Sequence, residues 1–121
     1  MSMTRSPRRG DVVYVGSPTT DGLEIRRRPC VVVQDPHLAT AFPNLIVAPL
    51  TTKVERRGPG RILVTAASAE GRDMGLRSDS LITLDNLVTV GRYMIVDIHG
   101  WCPVMAEVDE GLRTILGLHR A

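Results

Sequence analysis

The stretch RRRPCVVVQ, residues 26–34, sets three consecutive arginines against the most apolar segment of the chain. The β-branched run 29–34 is typical of a strand packed on both faces. Proline fixes its own φ and holds the preceding residue extended, so Arg28 is expected to leave the strand entrance in a defined direction. The stretch predicts a buried strand with a positioned cation beside it.

Further strand-sized segments lie on both sides of this one. Turn residues and β-branched runs predict strands at 11–16, 44–51, 61–65 and 93–99, and one or two within 79–90. Between them we predict a polar loop at 17–27, a charged loop at 52–60 and a long loop at 66–78. Alternation in 93–99 places Met94, Val96 and Ile98 on one face and Ile95 on the other.

The period changes at the C-terminal end of the sequence. Val104, Val108, Leu112 and Ile115 recur at helical steps, and Gly117 is placed to end a helix. Short strands followed by one helix predict a mainly β domain, a strongly bent sheet or partly open barrel capped by the helix. At 121 residues we expect a single domain over 1–121, with residues 1–9 flexible.

Composition limits the classes of function. A net charge of +2 is too small to indicate nucleic-acid binding by itself, but Lys53 is the only lysine, so the other Lys/Arg positions are all arginine. The guanidinium of arginine is a planar fork that matches phosphate oxygens. No segment is long enough for a membrane span, no signal peptide is evident, and Cys30 and Cys102 lack metal-ligand spacing. We expect a cytoplasmic protein with reduced thiols, no metal and no cofactor.

Four features lie at predicted loop–strand junctions, where functional side chains concentrate. They are Glu24, Arg28, the pair Thr51-Thr52, and Asp85. Each also has a purely structural interpretation: Arg28 as a surface cation, Thr51 as a strand end and Asp85 as a turn residue. Spacing alone does not decide between these interpretations.

An ordered set of motifs resembles the MazF/PemK toxins of bacterial toxin–antitoxin pairs. The motifs are RRGDVVYV, RRPCVVVQ, NLIVAPLTTK, SDSLITLDNLVTV and MAEVDEGLRTILGL, and together they run from about residue 9 to 118. The resemblance implies a small SH3-like barrel with helices, usually assembled as a symmetric homodimer. It also implies sequence-specific, metal-independent cleavage of single-stranded RNA, with the 2′-hydroxyl attacking the adjacent phosphate.

The resemblance assigns roles to individual residues. Arg28 matches the arginine implied to stabilise the pentavalent phosphate, and Thr51 matches the threonine implied to hydrogen-bond it. Glu24 and Asp85 match acidic positions, of which Asp85 is implied as a catalytic base. The family's usual RTID is VTVG here, Val88–Gly91.

Substrate and partner contacts are predicted in the two basic loops. The predicted RNA-binding residues are Arg26, Arg27, Thr52, Lys53, Arg56 and Arg57. The same surface suits an acidic, disordered segment of a MazE-like antitoxin. Two alternatives stay open: a CcdB-like gyrase-inhibiting toxin, disfavoured by the Arg28–Thr51 pair, and a catalytically inactive nucleic-acid-binding relative.

Overall fold

The computed structural model describes residues 5–18, 21–23 and 25–118. Its elements, in chain order, are β1 (Asp11–Pro18), β2 (Ile25–Val32), β3 (Asn44–Thr51), β4 (Arg61–Val64), α1 (Ala69–Asp73), β5 (Ser80–Thr83), β6 (Val88–Gly91), β7 (Ile95–Trp101) and α2 (Met105–Leu116). Two 3-10 turns, Leu84–Asn86 and Arg92–Met94, flank β6. The predicted mainly β domain with a C-terminal helix is confirmed.

The strands form one antiparallel sheet in the order β4-β5-β3-β2-β1-β7, and β6 pairs with β3. β5 and β6 run along β3, with β5 opposite Leu50 and Thr51 and β6 opposite residues 44–47. Among the described residues the end strands β4 and β7 do not pair, so the sheet bends without closing into a barrel.

Two hydrophobic clusters cover opposite faces of the sheet. The first contains Val12 and Val31 and is covered by α2, whose Val108 is completely buried. The second contains Val13 and Val32. Because side chains of a strand alternate between faces, a continuous run of valines fills both clusters at once, as the sequence predicts.

The predicted polar loop at 17–27 is wrong at both of its ends. β1 extends to Pro18 and β2 begins at Ile25, so all three arginines lie within a strand. Partner strands in a hairpin satisfy each other's backbone groups, and arginine side chains can extend into solvent from either face. The predicted loop at 66–78 similarly contains α1, which Ser68 caps by accepting a hydrogen bond from the Gly71 N–H at 3.0 Å.

The predicted alternation along β7 is also wrong. Ile95 is 4% exposed in the second cluster, and Met94 and Ile98 pack against that same cluster. The β1–β7 ladder shifts register twice, between Val12 and Val13 and between Tyr14 and Val15. Each shift changes which residues of β7 face the sheet interior, so a strict two-residue period fails.

The C-terminal helix follows its prediction closely. α2 ends before Gly117, whose φ of 70° is left-handed, and the Leu118 N–H donates to the Arg113 carbonyl at 2.8 Å. Glycine adopts this φ without a Cβ penalty, which explains the stop. Neither helix in the described part of the chain is long and apolar enough to cross a membrane.

Residues 5–9 contact the domain ahead of β1. Arg5 binds the buried carboxylate of Asp11 through two hydrogen bonds of 2.9 and 3.1 Å, and this partner raises the pKa of the guanidinium. Arg9 donates to the Val33 carbonyl and to Asp109, each at 2.7 Å. That 1–121 forms one domain with a flexible 1–9 stays a prediction.

Candidate active site

The three arginines of β2 are divided between the two faces of the sheet. β1 and β2 pair without a break, so successive β2 side chains alternate between faces. Arg26 and Arg28 share the face of Cys30, in the second cluster, whereas Arg27 shares the face of Val31, in the first. All three side chains are exposed, but only two of them point to the same side.

Strand register brings Arg28 and Thr51 together. Cys30 pairs with Pro49 in the β2–β3 ladder. The same register continued by two residues sets Arg28 opposite Thr51, and both line one pocket of about 220 Å³. This pocket, called here the cationic pocket, unites two residues that are 23 positions apart in the sequence.

The rest of the cationic pocket is polar and basic. Its other polar lining residues are Arg56, Arg61, Thr83 and Asn86. All three of its arginines, Arg28, Arg56 and Arg61, therefore line one space, and no carboxylate among the described residues lines it. Fixed guanidinium forks in a concave site suit an anionic ligand with several oxygens, such as a phosphate.

Thr51 is held at the end of β3. It pairs with Leu81 of β5, and its Oγ1 accepts a hydrogen bond from the Lys53 N–H at 3.2 Å. Thr51 is half-buried, and its hydroxyl proton stays available because that contact uses only a lone pair. Thr51 can therefore donate to an oxygen that enters the pocket.

Asp85 lies next to the pocket residue Arg61, in the 3-10 turn after β5. The Arg61 Nε stands 3.0 and 3.2 Å from its two carboxylate oxygens, and the Arg61 Nη1 donates to the Arg56 carbonyl at 3.1 Å. Arg61 lines the pocket and Asp85 does not. The structure thus places the predicted base next to an arginine that the sequence did not suggest.

The loop between β3 and β4 carries four of the predicted RNA-binding residues. Thr52, Lys53, Arg56 and Arg57 are exposed, and only Arg56 lines the cationic pocket. The Arg57 Nε donates to the Val54 carbonyl at 2.7 Å, which holds that side chain against its own loop. Glu24, the remaining predicted catalytic residue, lies outside the described residues.

Arg61, Thr83 and Asn86 are the pocket residues that the sequence analysis missed. Arg61 pairs with Thr83 across β4 and β5, and the buried Thr83 hydroxyl donates to the Pro49 carbonyl at 2.7 Å. Arg61 stands directly before an apolar run, as Arg28 stands before the run 29–34, and this is the one signal that the sequence offered. Asn86 follows Asp85 in the sequence. Whether its side chain reaches the pocket depends on how β5 and β6 bend along β3.

Cys30 follows Arg28 by two residues in β2 and is buried in the second cluster. Burial raises the pKa of its thiol to about 12, partly opposed by the positive charge of Arg28. Burial also raises the pKa of Cys102. Both thiols therefore stay protonated at neutral pH and behave as small apolar groups.

Among the described residues, no group of three or more His, Cys, Asp or Glu side chains is arranged to hold a metal ion. The positive groups of the pocket are its arginines.

The fold and the pocket define a small protein with an open β-sheet, a C-terminal helix and a cationic site at the end of its central strands. The chain belongs to the family described as PemK-like, MazF-like toxins of type II toxin–antitoxin systems, which matches residues 8–116. No curated protein matches the sequence.

Solved structures share this fold at low sequence identity. An endoribonuclease in complex with its cognate antitoxin, from a mycobacterial species, superposes with a TM-score of 0.69 at 21% identity, over 96% of this chain and 100% of that one. The Mycobacterium tuberculosis toxin MazF-mt6 gives 0.65 at 22% identity, over 91% and 99%. A MazE-MazF structure from Deinococcus radiodurans gives 0.68 at 20% identity, over 95% and 99%.

Proposed function

We propose that this protein is the endoribonuclease toxin of a toxin–antitoxin pair and cleaves single-stranded RNA without a metal ion. The observation that carries the proposal is the meeting of Arg28 and Thr51 in one cationic pocket. Membership of the toxin family supports it, as do structural relatives described as endoribonucleases.

The proposed reaction is a transesterification within the RNA. The 2′-oxygen of one nucleotide forms a bond to the adjacent phosphorus, and the bond from phosphorus to the 5′-oxygen breaks. The products are a 2′,3′-cyclic phosphate and a 5′-hydroxyl end. One proton leaves the attacking hydroxyl and one joins the departing oxygen, so the phosphoryl group must be stabilised while it carries extra negative charge.

Arg28 and Thr51 supply that stabilisation in our proposal. Arg28 is exposed and has no ion-pair partner among the described residues, so its guanidinium is available to the equatorial phosphate oxygens. The Thr51 hydroxyl can donate to one of them. A prepositioned donor of this kind is worth on the order of a hundredfold to a thousandfold in rate.

Two carboxylates are proposed for proton transfer, Glu24 and Asp85. Asp85 reaches the cationic pocket through Arg61, whose Nε holds both of its oxygens. A base needs a free lone pair toward the proton that it accepts, and each carboxylate oxygen retains one beyond its contact with Arg61.

Cleavage of messenger RNA in the cytoplasm would stop translation and growth, which a bound antitoxin would prevent. We propose a MazE-like antitoxin with an acidic segment that folds onto the basic surface of Arg26, Arg28 and Arg56, and a homodimeric toxin. Charge complementarity supports the first proposal. The relatives solved with an antitoxin support it by analogy.

The direct test is incubation of the purified protein with a mixed-sequence RNA in excess EDTA. We expect cleavage by the wild type, with cyclic phosphate and 5′-hydroxyl ends, and loss of cleavage in Arg28→Ala and Thr51→Ala. Arg77→Ala is the matched control, because Arg77 is exposed and lies outside the cationic pocket.

Three other outcomes would contradict the proposal. Undiminished cleavage by Arg28→Ala would remove Arg28 from the mechanism. RNA binding without cleavage under any condition would identify an inactive relative. Inhibition of gyrase supercoiling without RNA cleavage would identify a CcdB-like toxin.

A further inference from the structure

A separate pocket of about 570 Å³ lies beside Trp101, where β1 begins and β7 ends. No described residue lines both this pocket, called here the tryptophan pocket, and the cationic pocket. Its volume is within the roughly 300–1,000 Å³ typical of ligand sites. The proposed reaction uses none of its residues, so the tryptophan pocket is available for a further role.

One positive charge of the tryptophan pocket has no partner. Arg5 is paired with Asp11, and Arg9 is paired with Asp109 at 2.7 Å. Arg8 is exposed, and its side chain makes no hydrogen bond or ion pair with any described residue. The pocket therefore offers one available guanidinium, which suits a single anionic group such as a phosphate.

The backbone that carries Arg8 is fixed. Its N–H donates to the Asp11 carboxylate at 2.7 Å, and the Asp11 N–H donates to the Arg8 carbonyl at 3.0 Å. The Cys102 N–H donates to the Gly10 carbonyl at 2.7 Å, which ties this turn to the residue after Trp101. The guanidinium and the indole therefore extend from two segments that are held together.

Trp101 is the only aromatic side chain among the described residues that line the pocket. It is 55% exposed and pairs with Asp11 across the β1–β7 ladder. Proteins that bind single-stranded nucleic acid combine a positive surface with aromatic side chains on which bases stack. An exposed indole beside an unpaired guanidinium has both properties.

We propose that the tryptophan pocket binds one nucleotide of a single-stranded RNA, with its base stacked on Trp101 and its phosphate on Arg8. The inference rests on the proposed function, because it takes RNA as the substrate of the protein. Stacking accepts every base, since every base has a π-face. The pocket would therefore increase the affinity for RNA that flanks the cleaved bond without selecting the site of cleavage.

Strand β1 connects the tryptophan pocket with the cationic pocket. Trp101 pairs with Asp11, and Arg28 pairs with Val15 further along the same strand. The step from residue 11 to residue 15 spans roughly 13 Å, at about 3.3 Å per residue. It is an even number of residues, so both pairs lie on the same face of β1. One RNA strand can therefore contact both pockets.

The charges favour a nucleotide over an acidic segment of a protein partner. A segment with several carboxylates needs several free cations, but Arg5 and Arg9 are already neutralised by carboxylates of this chain. A nucleotide carries one phosphate and one flat ring, which match the one free guanidinium and the one indole.

The first test uses the fluorescence of Trp101, which is the only tryptophan of the chain and so reports on this pocket. The full-length protein is titrated with a mixed-sequence RNA oligonucleotide whose 2′-O-methyl sugars prevent cleavage by the proposed reaction. We expect the RNA to quench the fluorescence. Saturating RNA should also quench it in Arg28→Ala, because Arg28 does not line the tryptophan pocket.

Variants of Trp101 test the stacking contact. Trp101→Ala should weaken binding of the same oligonucleotide, labelled and followed by anisotropy, by at least about fivefold. Trp101→Phe keeps an aromatic face and should recover part of that loss. Phe42→Ala is the matched control, because Phe42 is 69% exposed and lines neither pocket, and its affinity should match the wild type.

Arg8→Ala tests the phosphate contact. Each phosphate contact with a single strand contributes about 0.7 to the slope of log affinity against log salt concentration, so this variant should reduce the slope by about that amount. The turn at Arg8 is held by backbone groups of that residue, which alanine keeps. Arg77→Ala is the control, since Arg77 is exposed and lies outside the pocket. Thermal unfolding checks that each variant is folded.

The outcomes separate this proposal from the proposed catalysis. Absence of quenching by RNA, or wild-type affinity and salt slope in Trp101→Ala and Arg8→Ala, would overturn the nucleotide site. Equal quenching by a nucleoside monophosphate at the same concentration would overturn the assignment to an RNA strand. Quenching by a poly-glutamate peptide and not by RNA would identify an acidic protein segment as the ligand instead. Quenching by the oligonucleotide without cleavage of ordinary RNA would support this site and overturn the proposed catalysis alone.

Discussion

Arg61 and Asp85 form a two-contact ion pair beside the cationic pocket, with the Arg61 Nε 3.0 and 3.2 Å from the two carboxylate oxygens. The two side chains are only 21% and 36% exposed, so the pair is partly shielded from solvent. It couples an arginine that lines the pocket to a carboxylate that does not.

Variants of this pair can distinguish a chemical role of Asp85 from a structural one. If Asp85 accepts the proton, Asp85→Asn should lower kcat by about a hundredfold or more. Arg61→Ala should lower kcat by less. Equal losses in the two variants would mean that Asp85 only positions Arg61.

The two faces of β2 predict unequal effects for adjacent arginines. Arg28→Ala should lower cleavage by on the order of a hundredfold, because it removes a donor aimed at the phosphate. Arg27→Ala should retain most of the activity, because its side chain lies on the other face. Single-turnover cleavage of one RNA by both variants is the measurement, and a larger loss in Arg27→Ala would contradict the assignment.

The role proposed for Thr51 depends on its hydroxyl and not on its shape. Thr51→Ser keeps the hydroxyl and should retain cleavage, whereas the near-isosteric Thr51→Val should lose it. Both variants remain compatible with a strand end, so circular dichroism should show a native fold for each. Comparable activity in the two variants would exclude hydrogen bonding by this side chain.

The buried thiol of Cys30 predicts a loss of stability at high pH. Its pKa is raised by burial from 9.0 to about 12, so above pH 9 the unfolded chain releases this proton before the folded one does. The free energy of unfolding should therefore fall as pH rises from 9 to 12, by up to about 1.4 kcal/mol per pH unit. Urea unfolding of wild type and Cys30→Ala isolates the Cys30 contribution as the difference between their slopes, because Cys102, whose pKa burial also raises, contributes in both proteins.

Gly71 in α1 is predicted to tolerate no side chain. A Cβ there would lie against the carbonyl oxygen of Thr65 and 2.8 Å from the Ala66 Cα, both backbone atoms that cannot rotate away. Gly71→Ala should lower the free energy of unfolding by about 2 kcal/mol or more. Gly58→Ala is the control, because nothing lies within 4 Å of its Cβ position, and its effect should stay within about 0.5 kcal/mol.

Local patterns in the sequence were sufficient for part of the fold. The strand predicted at 44–51 has those same bounds in β3, and the helix ends where Gly117 predicts. Both signals are carried by neighbouring residues, through β-branched side chains in one case and a left-handed glycine in the other. The family motifs likewise identified Arg28 and Thr51 as a pair to be tested.

The tertiary structure decided which residues surround Arg28 and Thr51. The arginines of β2 became strand residues because β1 pairs with them as far as Pro18, and Arg61 and Asn86 joined the pocket because β4, β5 and the following turn fold against β3. Register shifts between β7 and β1 likewise changed the face of the sheet on which Ile95 lies relative to the sequence prediction. The sequence alone determined which segments could be strands and helix, since those preferences are local. Only the folded chain determined which residues share a site, since that depends on pairing between segments that are distant in sequence.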